Sequence, residues 1–558
     1  MIRTEVTIGH PAGIHARVAA HAVLLASGHS ASVFLRSSRG TASLTRLADL
    51  LRLDVREDAV VEILADGPDE VEALHEVATF LTSSTNDPAP QYCIRRRERL
   101  TMSDEIIAAA VAGAGDTDVV EMGRGVLDRA GNVLAEHMCR ARGHNLPALV
   151  VADERTWAVA GKAVDAGLRS AGVVACDPLV FPAEPCLYAS LDNAHTIADR
   201  LRTLDAETGS AVVPIAVGSG TINDLTKLAA KDVGRRYAVV GTAASMDGYT
   251  GAGAPISDNG VKVTMQCVAP QVVIFDLDIT AAAPQVMTAS GYGDLAAKIP
   301  GGADWIIADA AGIEPLDQHV WALVQSGVRD ALSRPDDLRR GDPEAFSGLV
   351  EGLILSGLAM QVYDGTRPAS GAEHYFSHIW ELAHVGADRN PPLSHGHKVA
   401  IGTLAMLAFY EKFLDRDLSR LDIDAAVAAW PDWRTVESDI RSTFEGALAD
   451  HAVKETKVKY VDADGLRARL NRVVDRWHET RAALEKQLVR ARVFADQLRR
   501  AGAPSRPEDI GLTAADVRAT FPKAMYYRSR YTVLDLAREA GWYEELVEEV
   551  FAPDGLWT

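Results

Sequence analysis

The run 212-VVPIAVGSG-220 carries an apolar strand straight into a glycine turn, and 223-NDLTKLAA-230 starts a helix just beyond it. A strand that is apolar on both faces needs cover on both faces, which is the condition of a parallel sheet. The surrounding sequence repeats the pattern, with strands expected at 147-PALVVAD-153, 172-GVVACDPLVF-181 and 235-RRYAVVGTAAS-245, and helices over 154–170 and 192–204. Ligands of such sheets sit at the carboxyl ends of the strands. Gly218-Ser219-Gly220-Thr221 lets a pyrophosphate approach the backbone at a helix N-terminus, although a tight structural turn has the same composition. A second small-residue turn, 241-GTAASMDGYTGAG-253, favours a two-sided cradle.

With 558 residues the chain exceeds one core, and three or four domains are expected. A net charge of −20 argues against nucleic acid or an anionic membrane as the main partner. No apolar run reads as membrane-spanning, and MIRTEVTIGH lacks a signal-peptide pattern. Five scattered cysteines (Cys93, Cys139, Cys176, Cys186, Cys267) without a CxxC read as unpaired thiols in a reducing, cytoplasmic setting.

Residues 2–83 read as a separate βαββαβα unit, an α+β open-faced sandwich, once a short strand near Thr41 is allowed. Within 10-HPAGIHARVAA-20, a phosphate on His15 would meet free backbone N–H groups, a helix dipole and the guanidinium of Arg17. GIHAR, 43-SLTRLADLLRL-53 and 65-ADGPDEVEAL-74 together resemble HPr, the histidine-containing phosphocarrier of the sugar phosphotransferase system. The resemblance implies that His15 accepts the phosphoryl group from Enzyme I or a related donor, with Arg17 as its charge partner. It also puts Ser43 where some members carry a regulatory serine. Val18 stands where that family usually has Pro, which alters the phosphate pocket, and His10 is outside the motif. Residues 85–104, polar and then basic, read as a linker.

Farther along, Ser370 and Glu373 form a capping-box pattern that predicts a helix with Ser370 as N-cap. His374 and His378 then lie one turn apart on one face, able to hold a metal or an anionic substrate, or simply to half-bury in an amphipathic core helix. The ordered runs GSGTINDLTK, GTAASMDGYT, 289-ASGYGDLAAKIPGGADW-305, RPASGAEHYFSH and 395-HGHKVAIGT-403 resemble the glycerol-1-phosphate dehydrogenases, of the iron-containing alcohol dehydrogenase and dehydroquinate synthase superfamily. The tail 502-GAPSRPEDIGL-512 and 527-YRSRYTVLDLA-537 extends that similarity over roughly residues 120–558.

The resemblance implies a multidomain chain: an HPr-like domain (1–84), the linker, a Rossmann-like NAD(P)-binding α/β domain (105–280) and an all-helical metal and substrate domain (281–558). Helices are expected over 315–333, 344–361, 373–385 and 399–415, with 466–500 as a solvent-facing helical pair and 416–465 unassigned. Asp294, His374 and His395 fall at the family's metal-ligand positions, for zinc or nickel ahead of iron. His378 and Asp294 take catalytic roles, and Asp247, Asp294 and His378 contact substrate. Gly220, Thr221, Ile222, Asn223 and Asp224, with Thr242, Ala243, Ala244 and Ser245, fall along NAD(H) or NADP(H). Gly251 departs from a serine common in that family, which removes one cofactor contact. Arg367 and Lys298 are candidate cations for a substrate phosphate, while His384 and His397 stand aside. The implied activity is interconversion of dihydroxyacetone phosphate and sn-glycerol 1-phosphate, a step of phospholipid metabolism, in a homodimer. Another polyol or polyol-phosphate dehydrogenase, or a phosphotransferase-linked regulatory protein, is the alternative. Dehydroquinate synthase fits less well, because GTAASMDGYT and SGAEH resemble the dehydrogenase branch.

Overall fold

The computed structural model describes residues 2–10, 13–14, 16–27, 29, 31–44, 47–53, 55–67, 69–82, 102–140, 145–258 and 261–557. His15, Cys93 and linker residues 85–101 lie outside the described residues, and Arg17 is described by its backbone alone. The chain divides into two compact units, Met1–Val120 with Gln318–Leu323, and Glu121–Asp317 with Val324–Thr558.

In the first unit, β1 (Ile2–Thr7), α1 (Ala16–Ser27), β2 (Ser32–Ser37), β3 (Gly40–Ser43), α2 (Leu47–Arg52), β4 (Val60–Asp66) and α3 (Glu70–Thr82) follow in the βαββαβα order. The sheet is antiparallel with strand order β1-β4-β2-β3. Alternation sets its faces: Val33 and Leu35 of β2 join Val61, Ile63 and Ala65 of β4 under Val18, Ala22, Val77 and Leu81 of the helices. A further helix, α4 (Met102–Gly113), begins where a linker is expected to end, packs on α1 and α2, and buries Ala109 in the same core. His10 is buried, with Nε2 2.9 Å from the Phe80 carbonyl and its own carbonyl accepting the Gly13 N–H.

The second unit is built on a sheet of order β5-β12-β9-β8-β6-β7. Its strands are β5 (Val119–Gly123), β6 (Ala148–Asp153), β7 (Leu179–Phe181), β8 (Val213–Gly218), β9 (Ala238–Gly241) and β12 (Val272–Asp276), with a separate hairpin of β10 (Ala254–Asp258) and β11 (Val261–Met265). The pairs β6–β7, β6–β8, β8–β9 and β9–β12 are parallel, and β8 and β12 are buried along their whole length. The strand expected over 172–181 shrinks to β7, since Pro178 has no N–H to give the ladder. Sequence reading overlooked β5, β12 and the hairpin; Asn259-Gly260 was the available signal for the hairpin.

From Leu277 onward the described chain is helical. Residues 466–500 form three helices rather than a pair, Ala463–Asp475, Trp477–Gln487 and Ala491–Ala501. Each buries an apolar stripe despite its charge, with Leu466 and Leu470, Leu484, and Phe494 and Leu498 facing inward. The unassigned stretch 416–465 holds Ile423–Ala429, Trp433–Thr443 and Gly446–Lys459; Asp422 and Asp432 cap the first two and were the overlooked start signals. One helix, Pro343–Tyr363, is long and apolar enough by length and composition to cross a membrane, which corrects the expectation that no run would be. Twelve of its residues are buried inside the protein, the pattern of a core helix.

Candidate active site

Three helices supply the cluster. Gln285–Ala296 carries Asp294, Ala372–Leu382 carries His374 and His378, and His395–Leu414 opens with His395. Their spacing depends on missing side chains next to the functional ones. A Cβ on Gly293 would lie 2.4 Å from the Gly396 carbonyl oxygen, and one on Gly402 would lie 2.3 Å from that of Glu373. Backbones therefore touch at the residues adjacent to Asp294, His395 and His374. Asp294 sits inside its helix, and His395 is the first helical residue of its own.

The His374 helix starts one residue later than its sequence suggests. Gly371 is the N-cap, Ser370 Oγ donates to the Thr366 carbonyl at 3.0 Å, and Glu373 Oε1 accepts the Gly371 N–H at 2.6 Å. Asp304, from the helix Lys298–Ala310, accepts the Ala372 N–H at 2.8 Å and displaces Ser370 from the capping role. The same carboxylate accepts Tyr410 O–H at 2.6 Å and the Val533 N–H at 3.0 Å, tying four segments together. Burial and the neighbouring Glu373 charge push its pKa up to about 6.

One ligating atom each from Asp294, His374 and His395 lies within 4.8 Å of the others. Asp294 Oδ1 is 3.6 Å from His374 Nε2 and, though buried, has no hydrogen-bond partner among the described residues. His374 Nδ1 is 2.9 Å from Glu373 Oε1, and His395 Nδ1 is 2.8 Å from Glu381 Oε1. Each carboxylate fixes its imidazole, as in metal-binding histidines, and His374 Nε2 is turned toward Asp294. Glu373 is read from the sequence only as a capping residue, and Glu381 is not singled out there. Burial lowers the His374 pKa, but Asp294 and Glu373 outweigh it and push it up to about 9. The slot between the two carboxylates thus favours a cation. His378 is 6.1 Å from the His374 ring and 6.0 Å from the His395 ring, and its Nδ1 is buried without a partner among the described residues. Desolvation holds its pKa well below the ordinary value, so it is neutral.

Lys298 is fully buried, with Nζ 2.7 Å from Asp247 Oδ2 and 3.6 Å from Asp294 Oδ1. Burial depresses its pKa, yet the two carboxylates raise it overall. Asp294 goes the other way: burial raises it, but Lys298 and the histidines hold it well below the carboxylate range. Asp247 also accepts Ser356 O–H at 2.8 Å, and its N–H donates to Asp294 Oδ2 at 2.9 Å. Arg367 is not at this cleft as a free cation. It is 1% exposed and spent on the carbonyls of Asp304 and Tyr531 and on Glu314.

On the sheet side, Gly218 and Gly241 are register partners, so the two glycine-containing turns leave neighbouring strands at the same end. A Cβ on Gly218 would lie 2.6 Å from Ile222 Cβ, and one on Gly220 would lie 2.8 Å from Met246 Cε. Ser219 is the N-cap of helix Gly220–Asp232 without a side-chain cap bond, leaving first-turn N–H groups for an anion. Ile222, Asn223 and Asp224 are buried, as are Ala243 and Ala244. Asn223 accepts Tyr237 O–H at 2.9 Å and donates to Asp224 and the Gly248 carbonyl, so its side chain braces the fold rather than the cradle. Thr221 and Ser245 remain half-buried at the turns. Lys227, not anticipated, donates to the carbonyls of Gly248, Gly251 and Gly253 at 2.8–3.0 Å and clamps the loop that carries Asp247.

Comparison with known proteins agrees with this architecture. A family model described as iron-containing alcohol dehydrogenase matches residues 121–284, and one described as the PTS HPr component phosphorylation site matches residues 2–83. The chain is 34% identical over 299 residues to the glycerol-1-phosphate dehydrogenase [NAD(P)+] of Halalkalibacterium halodurans, covering 53% of this chain and 71% of that protein. It is 35% identical over 309 residues to the namesake from Bacillus velezensis, covering 54% and 77% respectively. A probable glycerol dehydrogenase from Sinorhizobium meliloti aligns over 79% of this chain and 99% of its own at 18% identity, with a TM-score of 0.48. A parallel sheet leading into a helical body, with the first family match, defines an iron-containing alcohol dehydrogenase-type enzyme joined to an HPr domain. Within that class, the chain belongs to the glycerol-1-phosphate dehydrogenase family.

Proposed function

We propose that the protein is a soluble, cytoplasmic, metal-dependent dehydrogenase that reduces dihydroxyacetone phosphate with NADH or NADPH and one proton to sn-glycerol 1-phosphate, reversibly. The observation that carries this reading is the Asp294–His374–His395 cluster, each histidine braced by its own carboxylate, in a chain of this family. Asp294 Oδ1, buried without a hydrogen-bond partner among the described residues, and one ring nitrogen each from His374 and His395 fit one divalent ion, zinc or nickel ahead of iron. When bound there, such an ion supplies Lewis-acid polarisation of a substrate oxygen. The N–H groups behind Ser219 fit a dinucleotide pyrophosphate, and the nicotinamide supplies hydride. His378 is neutral and carries a proton on one ring nitrogen while accepting at the other, so it relays a proton to the substrate oxygen without a net charge change. Asp247 orients the substrate hydroxyls from a loop that Lys227 holds still.

The assay is NADH oxidation by metal-reconstituted protein with dihydroxyacetone phosphate, with dihydroxyacetone and glycerol in parallel. Turnover confined to the phosphorylated ketone supports the reading; equal or better turnover of the unphosphorylated compounds replaces it with a general polyol dehydrogenase. In the same series, Glu381→Gln should weaken metal binding by about 10- to 100-fold, because His395 loses the partner that orients it. Chelator competition measures this, and an unchanged affinity removes Glu381 from the ligand support. The HPr domain takes a phosphoryl group on His15 from Enzyme I or a related donor, in this reading. Its effect on turnover is checked by comparing the phosphorylated protein with His15→Ala.

A further inference from the structure

Neither cation that the sequence offers for a substrate phosphate is available to take one. Arg367 is enclosed by Asp304, Tyr531 and Glu314, and Lys298 is engaged by Asp247 and Asp294. The tail segment 527-YRSRY-531, which leaves the helix Ala514–Tyr527, supplies another. The Tyr527 ring is buried 6.0 Å from that of His378, which in turn stands 6.1 Å from His374 and 6.0 Å from His395. Arg528 lies over the Tyr527 ring, its Cζ 5.3 Å from the centroid. A row of rings thus leads from the metal cluster to a guanidinium. Burial is the main reason His378 stays neutral, and the Arg528 charge acts on it in the same direction.

Arg528 is half-buried and has no ion-pair partner among the described residues. The two residues after it are tied down. Ser529 N–H donates to Glu455 Oε2 at 2.8 Å. Arg530 donates to the Ser370 carbonyl and hydroxyl at 2.6 and 2.8 Å and to Thr366 Oγ1 at 2.7 Å, all neutral oxygens. Against these two guanidiniums the segment binds one acidic side chain, Glu455, while Glu381 is spent on His395. Positive charge is therefore left over beside His378, on a backbone already fixed in place. A guanidinium with unused N–H donors suits phosphate oxygens. In a ketone phosphate the phosphorus is only three bonds from the carbonyl carbon, so its cation must stand just beyond the groups that serve the carbonyl.

We propose that Arg528 binds the substrate phosphate and makes the enzyme select a phosphorylated ketone over the unphosphorylated one. The inference deepens the dehydrogenase reading and rests on it. The test compares metal-reconstituted full-length wild type, Arg528→Gln and Arg528→Lys, with dihydroxyacetone phosphate and dihydroxyacetone as substrates. Arg528→Gln should lose about 100-fold in kcat/KM for the phosphorylated ketone, mostly through KM, and stay within about twofold for dihydroxyacetone. Arg528→Lys should recover part of the loss, because it keeps the charge without the fork. Calorimetric titration with sn-glycerol 1-phosphate gives a readout apart from turnover, and Arg528→Gln should weaken that binding about tenfold or more with metal content unchanged. Arg528→Met is read in its place if Arg528→Gln does not fold. A wild type selective for the phosphorylated ketone, whose selectivity survives in the neutral variant, overturns this proposal alone. An equal fall for both ketones also overturns it, since Arg528 would then support the cleft rather than bind the phosphate. A wild type that reduces both ketones equally removes the dehydrogenase reading and this proposal with it.

Discussion

His374→Ala should cost tight divalent-metal binding and, with it, ketone-phosphate reduction, by about a thousandfold or more. Lewis-acid stabilisation supplies several kcal/mol of a barrier in which about 1.4 kcal/mol is tenfold in rate. His374 is the central member of the cluster, 3.6 Å from Asp294 and with its ring 5.4 Å from that of His395, so neither neighbour can take its place. Metal content by mass spectrometry and turnover should fall together, while circular dichroism keeps the helical signal. Retained metal with lost turnover would move the metal elsewhere. The wild type adds a pH signature. An imidazole pushed up to about 9 holds a proton that a metal must expel. Metal affinity should therefore rise about tenfold per pH unit toward pH 9, and an affinity flat with pH would contradict ligation by His374.

Lys298→Met should produce the largest loss of stability of any single change at the site. Its ammonium is completely buried between Asp247 and Asp294, and removing it leaves two carboxylates facing each other without compensation. Breaking a buried pair from one side costs about 3–5 kcal/mol. The sign of the pH dependence follows. Without Lys298 the Asp294 carboxyl titrates higher, so the deficit is full at neutral pH and shrinks as acid neutralises it. A divalent ion replaces part of the missing charge and should restore part of the stability. Urea unfolding at neutral and acidic pH, with and without added zinc, measures all three effects. A midpoint unchanged from the wild type would mean that Lys298 does not carry the charge balance of the cluster.

Much of this protein could be read along the chain. The unbroken apolar runs of β6 and β8 announced a buried parallel sheet, because strands covered on both faces leave no polar alternation. The alternation in 2–83 gave the order of the first unit, and Asp294, His374, His395 and His378 stood in motifs that could be aligned with a family. What could not be read depended on contacts far apart in sequence. Ser370 was the better cap by local rules, but Asp304, 68 residues before Ala372, occupies the helix end. Arg367 looked like a free cation beside the histidines until Asp304, Glu314 and Tyr531 were seen to enclose it. Glu381, Lys227 and Lys298 acquire their roles only when separate helices and loops converge.

The sequence by itself determined which segments bury apolar faces and which side chains carry the chemistry, because both are properties of composition and period. The tertiary structure alone decided how the charges pair. A buried charge is tolerated only beside its opposite, and which opposite lies within 4 Å is set by helix packing, here by Gly293 against Gly396 and Gly402 against Glu373.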